Sequence, residues 1–266
     1  MSFDLMNLAV KATCPTNEIL LDDKEMPSVM VKIPKFKISD VIAGGSNSVH
    51  PAFIVNGVEK DYIYISKYIN VVDNERAYSL PFEDPRTYID FDQSKAACEA
   101  KGKGWHLMTN VEWAAIALWC RKNNCMPHGN NNYGKSSENV SERGIISYHY
   151  TSNGVLYDGR TFTGSGPLTW SHDGTPGGIF DMNGNVWEWV GGMRLKEGEI
   201  QIVPDNNAAV TGVNLSPTST LWKSIKADGT LVEPGVAGSL KYDYLNSPPA
   251  TGGKINLTDT LLNKQV

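Results

Sequence analysis

The sequence predicts an α+β fold with two helices, short twisted sheets and long loops. Three observations predict it. Period-two alternation and an Asn-Gly pair mark the first third as β-rich. Two capped, helix-forming segments follow between residues 90 and 124. Residues 128–178 then hold Gly, Asn, Ser and Thr with short apolar runs, a texture in which no helix of ordinary length fits.

The elements follow in order. Residues 1–27 carry little pattern beyond the charged cluster Asp22, Asp23, Lys24 and Glu25 before Pro27, and read as an N-terminal arm, flexible or docking. Val29, Val31 and Ile33 share one strand face. Pro34 interrupts, and Phe36 and Ile38 continue on the other parity, so the strand breaks or bulges at the proline. Phe53-Ile54-Val55 and Val58 flank Asn56-Gly57, a hairpin signal because both central residues need positive φ. Tyr62-Ile63-Tyr64-Ile65 is a further strand. Asp90 or Asp92 caps the first helix, Ala96, Ala97 and Ala100 favour it, and Gly102 closes it. Thr109-x-x-Glu112 opens the second as a capping box. Trp113, Ile116, Ala117 and Cys120 form its apolar face, and Asn123 and Asn124 suit its end.

Tyr133, Tyr148, Tyr150, Tyr157, Phe162 and Trp170 punctuate the loop-rich stretch. They predict long loops anchored by aromatics on a small sheet, and long loops commonly carry function. Residues 199–203 read as a strand. Residues 204–266 hold few strand signals and read as a divergent or incomplete C-terminal part. The boundaries expected are an arm at 1–27, a main domain at 28–203 and this remainder at 204–266.

Composition excludes several classes. Of 266 residues, 41% are hydrophobic and 20% charged, enough for a packed core. Lys and Arg number 24 against 29 Asp and Glu, a net charge of −5. No basic excess is present to neutralise phosphates, which argues against a nucleic-acid partner. No apolar run approaches the roughly 20 residues of a membrane span. The start, MSFDLMNLAVKATC, lacks the basic and apolar regions of a secretory signal, so synthesis in the cytoplasm is expected. Four cysteines are too few for a disulfide scaffold. Cys120 and Cys125 read as reduced thiols near a helix end, since zinc would want a second ligand pair.

Asp181, the Gly184 and Val186 carbonyls, and Glu188 alternate as oxygen donors that suit a hard cation, part of a calcium shell of about 6–8 oxygens. The plainer reading is that the two carboxylates cap turns or pair with Arg194. Trp187 and Trp189 would share a face on a strand, which predicts core packing, with sugar stacking as the functional alternative. The five histidines show no metal-ligand spacing. No nucleophile elbow, phosphate loop or dinucleotide fingerprint is present, and no catalytic residue is assigned.

The segment Gly178-Ile-Phe-Asp-Met-Asn-Gly-Asn-Val-Trp-Glu-Trp-Val190 resembles the signature of the formylglycine-generating enzyme, or sulfatase-modifying-factor, superfamily. Tyr62-Ile-Tyr-Ile-Ser-Lys-Tyr68, Asp92 to Cys98 and Trp105-His-Leu-Met-Thr-Asn-Val-Glu-Trp113 are similar to its upstream segments, in order. The resemblance spans about residues 29–195 and implies a C-type-lectin-like fold. It also implies calcium at Asp181, Gly184, Val186 and Glu188. The family's oxidase branch uses a copper-binding cysteine pair after the signature, and this sequence has no cysteine after Cys125. Its sulfoxide-synthase branch uses histidine-held iron, and no histidine follows His172. A soft-metal redox site without such ligands is chemically implausible, so a non-catalytic role is expected.

Val49-His-Pro-Ala-Phe53, Trp119-Cys120 and Met126-Pro-His-Gly-Asn-Asn-Asn-Tyr-Gly134 resemble phage and prophage tail or tropism proteins on this fold. Several of those display a lectin face varied by diversity-generating retroelements. The resemblance implies a virion protein that attaches to a host surface, with a bacterial receptor or glycan as ligand. Tyr133, Tyr148, Tyr150 and Trp170 are the candidate contacts. Homo-oligomers or other virion proteins are the expected partners. A purely structural decoration or baseplate role and a copper-dependent oxidase are the alternatives.

Overall fold

The computed structural model describes residues 3–241. The regular elements are α1 (Phe3–Thr13), β1 (Asn17–Leu21), β2 (Pro27–Pro34), α2 (Ile38–Val41), β3 (Ile54–Val55), β4 (Val58–Glu59), β5 (Tyr62–Ser66), β6 (Val71–Asp73), β7 (Arg76–Tyr78), α3 (Phe91–Glu99), α4 (Asn110–Lys122), β8 (His149–Ser152), β9 (Val155–Asp158), β10 (Met193–Lys196), β11 (Glu199–Ile202), β12 (Lys223–Ile225) and β13 (Leu231–Val232). Short antiparallel sheets and few helices make this the expected α+β class. The chain forms two compact units. One takes residues up to Pro34, Tyr62–Leu107 and Trp119–Trp189; the other takes Lys35–Asp61, Met108–Leu118 and Val190 onward.

In the first unit β1, β2 and β5 form one antiparallel sheet. β2 sets Val31 opposite Ile65 and Ile33 opposite Ile63, and all four are buried. β2 ends at Pro34, which has no N–H with which to continue the ladder. The segment without pattern in the sequence is ordered: α1 is followed by β1, whose Asn17 pairs with Val31 and Leu21 with Pro27. Asp22 closes the β1–β2 turn. It accepts from the Lys24 and Met26 amides at 2.8 and 2.9 Å, from Arg76 at 2.8 Å and from the Tyr78 hydroxyl at 3.1 Å. Burial alone would raise its carboxyl, but these donors outweigh that and hold it at about 2. α3 starts as its sequence predicts, with Asp90 accepting from the Gln93 amide at 2.8 Å and the Gln93 side chain returning to Asp90 N–H.

In the second unit the Asn56-Gly57 turn joins β3 to β4 with φ of 50° and 71°, the left-handed pair that the hairpin requires. The Thr109–Glu112 capping box forms, with Thr109 N–H donating to Glu112 at 2.9 Å and Glu112 N–H to the Thr109 hydroxyl at 3.2 Å. Asn206 completes it by accepting from the Thr109 hydroxyl (2.7 Å) and donating to Glu112 (2.9 Å) and the Ala52 carbonyl (2.9 Å). Because Glu112 faces inward, the buried stripe of α4 runs through Glu112, Ala115, Ile116 and Cys120, while Trp113 and Ala117 are half-buried. The stripe is thus turned from the one expected.

Residues 204–241 are more regular than the sequence suggested. β12 and β13 join β10 and β11 in a four-stranded antiparallel sheet, and residues 239–241 add bridges to it. Glu199 fastens this region, accepting from Ser239, from Gln201 at 2.6 Å and from the Gly235 amide at 3.1 Å. Burial would raise it, and these donors hold it at about 2 instead. Residues 242–266 of the expected C-terminal part lie outside the described residues.

Two outcomes are expected. Asp22 and Glu199 release their protons at lower pH folded than unfolded, so their stabilisation is complete above about pH 5 and is lost as pH falls toward 2. Asp22→Asn should flatten part of that acid limb in urea melts recorded from pH 2 to 7. Asn206→Ala leaves a buried box of partners unsatisfied and should cost about 3 kcal/mol in urea denaturation at pH 7.

Candidate functional site

The signature loop is built from left-handed backbone. Asp181, Gly184 and Asn185 have φ of 63°, 79° and 63°. Such a run turns tightly and disfavours regular pairing. The loop is held from outside by residues 127–130. Asn130 and Gly184 form a parallel bridge, and Asn185 N–H donates to the Asn130 carbonyl at 2.8 Å. A Cβ at Gly184 would lie 2.5 Å from the Asn130 carbonyl oxygen, and one at Gly129 would overlap the Asn183 carbonyl oxygen. Both glycines are therefore required by close backbone approach. Asn185 accepts from the Thr161 amide (2.8 Å) and donates to the Thr161 carbonyl (3.1 Å), and Asn183 donates to the Pro127 carbonyl at 3.0 Å.

This frame positions two carboxylates. Asp181 is fully buried. Its Oδ2 accepts from the Gly164 amide at 2.8 Å, and its Oδ1 has no hydrogen-bond partner. Burial raises its carboxyl to about 6, with the Gly164 amide pulling the other way. Glu188 keeps exposed surface, yet the protein crowded around its carboxyl, together with the charge of Asp181, raises it to about 8. The two acids thus face a shared lack of positive charge. Arg194 does not supply it: its hydrogen bonds go to Gln201 (2.7 Å) and to the Ser216 and Pro217 carbonyls.

Among the described residues no three His, Cys, Asp or Glu side chains gather as a metal cage. A cation here would take its remaining protein oxygens from backbone carbonyls, and Gly184 and Val186 are those between the two acids in sequence. The orphaned Asp181 oxygen and the depressed acidity of both groups fit a hard divalent ion.

The aromatic residues divide. Trp170 is fully buried, with its indole N–H on Glu142 at 3.3 Å, and cannot serve as a ligand contact. That corrects its expected role: a residue in a loop-rich stretch is here the filling beneath the loops, with Gly166 packed against its ring. Tyr133, Tyr148 and Tyr150 are exposed. Tyr150 stacks on Tyr157 at 5.4 Å between ring centres, and Tyr133 lies against Tyr157 at 5.5 Å. Arg160 sits 4.2 Å over the Tyr148 ring while its guanidinium grips Asp84. Two of the tyrosines, 150 and 157, stand on the β8–β9 hairpin. Its turn, Asn153-Gly154, has φ of 51° and 76°. That Asn-Gly pair is the signal that would have predicted the hairpin.

Trp187 and Trp189 do not share a strand face in a core. Residues 185–190 form no strand, because the left-handed turns before them break the alternation. Trp187 is 102% exposed and Trp189 50%. Trp189 donates to the Ile89 carbonyl at 2.9 Å and meets Phe91 edge-on. Tyr88, 93% exposed at φ 53°, is a further solvent-facing aromatic of this unit that the sequence did not mark.

The family model of the sulfatase-modifying factor enzyme 1-like domain matches residues 8–215. No curated protein matches the chain.

The loop architecture predicts that Gly129→Ala disrupts the site at its base. Overlap with a backbone carbonyl cannot be relieved by a rotamer change, so a loss of about 3 kcal/mol or more is expected in thermal or urea unfolding. Asn153→Ala at the exposed hairpin turn should cost about 1 kcal/mol.

Proposed function

The chain belongs to the sulfatase-modifying factor enzyme 1-like family, and from that premise we propose that it is a non-catalytic attachment protein on a C-type-lectin-like scaffold. In this proposal it is carried on a phage or prophage virion and binds a bacterial surface receptor or glycan. The observation that carries the proposal is the β8–β9 hairpin. All of β8 is exposed, Val155 and Leu156 project at the tip, and Tyr133, Tyr150 and Tyr157 stack along one side. Stacked tyrosines offer rigid, amphipathic contact area at small entropy cost. An exposed aromatic surface of this kind suits a binding role better than a decorative one. The segments that resemble phage tail proteins, among them Met126 to Gly134, support the virion setting.

Calcium has a structural role in this reading. Asp181 and Glu188, with the Gly184 and Val186 carbonyls, would hold it, and it would supply the positive charge that the acids lack. The chain's own part is to fix those oxygens on a frame already tied to Asn130 and Thr161.

Two measurements test the proposal. Millimolar calcium should raise the melting temperature by roughly 5–10 °C at about a hundredfold excess over Kd, and EDTA should reverse it. Asp181→Asn should abolish the response while leaving the calcium-free protein about as stable as the parent. A Tyr150→Ala, Tyr157→Ala double variant should fold normally and bind host cells at least roughly tenfold more weakly. Unchanged host binding would move the assignment to a purely structural particle component.

A further inference from the structure

The C-terminus of α4 brings two cysteines together by its backbone alone. Asn124 has φ 53°. The Cys125 amide donates back to the Cys120 carbonyl at 3.0 Å, and the Asn124 amide to the Arg121 carbonyl at 3.3 Å. These are the two bonds of a Schellman cap, with its left-handed residue between them. The cap places the side chains of its outer pair in contact, and that pair is usually apolar. Here both members are cysteine. Their thiols converge on one acceptor: Cys120 Sγ donates to the His172 carbonyl at 3.1 Å and Cys125 Sγ to the same oxygen at 3.3 Å. The backbone bond also keeps the two Cα atoms within roughly 7 Å, inside the span that a disulfide bridges.

We propose that Cys120 and Cys125 are an oxidisable dithiol that closes to an intramolecular disulfide across the end of α4. The oxidant is a small-molecule disulfide. The half-buried Cys125 thiolate attacks one sulfur of oxidised glutathione; that S–S bond breaks and one glutathione thiolate leaves. The buried Cys120 thiolate then attacks the Cys125 sulfur, forming the internal S–S bond and expelling the second glutathione. Two cysteine thiols are oxidised, one glutathione disulfide is reduced, and the two cysteine protons end on the two glutathione thiols. Burial pushes Cys120 up to about 12 and raises Cys125 too, with Asp173 adding to both. Both therefore hold little thiolate at neutral pH and react faster as pH rises. Closure would remove both S–H donors from the His172 carbonyl. It would also fasten to the helix the segment whose Pro127, Gly129 and Asn130 support the signature loop.

Trypsin gives a direct readout, because Arg121 and Lys122 lie between the cysteines. The full chain is incubated with oxidised glutathione at mildly alkaline pH, alkylated and digested without reductant. The expected product is a disulfide-linked pair of peptides, one ending at Arg121 and one beginning at Asn123, in roughly tenfold excess over any linked pair containing Cys14 or Cys98. Cys120→Ser should stop the reaction at a glutathione adduct on Cys125. Asn124→Gly, which keeps the left-handed cap, should oxidise like the parent, whereas Asn124→Val should give less of the linked pair. Recovery of Cys120 and Cys125 as alkylated thiols, or of mixed disulfides alone in the parent chain, would overturn the proposal.

Discussion

One side chain, Asn130, ties the two parts of the candidate site together. Its backbone bridges to Gly184 and accepts from Asn185. Its amide nitrogen donates to the Gly159 carbonyl at 2.9 Å, and its amide oxygen accepts from the Gly134 amide at 2.7 Å. Gly134 follows Tyr133, and Gly159 follows β9. The carboxylate loop and the tyrosine hairpin are therefore registered by the same buried residue. A primary amide suits that position because it presents a donor and an acceptor at once. Asp would lose the donor.

Donor number, and not burial, separates the structural carboxylates from the candidate ligands. Asp22, Glu199 and Asp181 are all buried. Asp22 and Glu199 each collect several N–H or O–H donors and ionise easily. Asp181 has one amide and an unpartnered oxygen, so its charge is left uncompensated. Uncompensated charge in a rigid frame is where an ion or ligand has most to offer. Lys101 shows the cationic counterpart. Burial lowers it to about 8, although it is held by Ser28 and lies over the Trp105 ring.

What was legible in the sequence was local. The cap at Asp90, read there as Asp90 or Asp92, the Thr109 capping box, the Asn56-Gly57 hairpin and the end of β2 at Pro34 all depend on residues within a few positions of one another. The signature loop was legible as a pattern of acids and glycines. Its frame was not, because the partners of Gly184 and Asn185 lie at 130 and 161. Exposure was the least legible property. Trp170 and Trp187 are the same residue type in similar loop-rich surroundings, yet one is fully buried and the other fully exposed. Trp170 ends a short 3-10 turn beneath the loops, whereas Trp187 follows the left-handed Gly184 and Asn185. β12 and β13 escaped notice because both are short: β12 has two polar residues before Ile225, and β13 is only the pair Leu231–Val232.

The hairpin β8–β9 has one more property. Its side chains contribute almost nothing to the core: β8 is exposed throughout, and the stacked tyrosines rest chiefly on one another. The backbone ladder and the Asn-Gly turn fix its shape regardless of what it displays. Substitutions at such solvent-facing positions typically shift stability by less than about 0.5 kcal/mol. The chemistry of this surface is thereby uncoupled from the folding of the chain beneath it. A lineage can rewrite the residues of this surface one at a time without passing through an unfolded intermediate, and the scaffold stays constant while its outer face drifts.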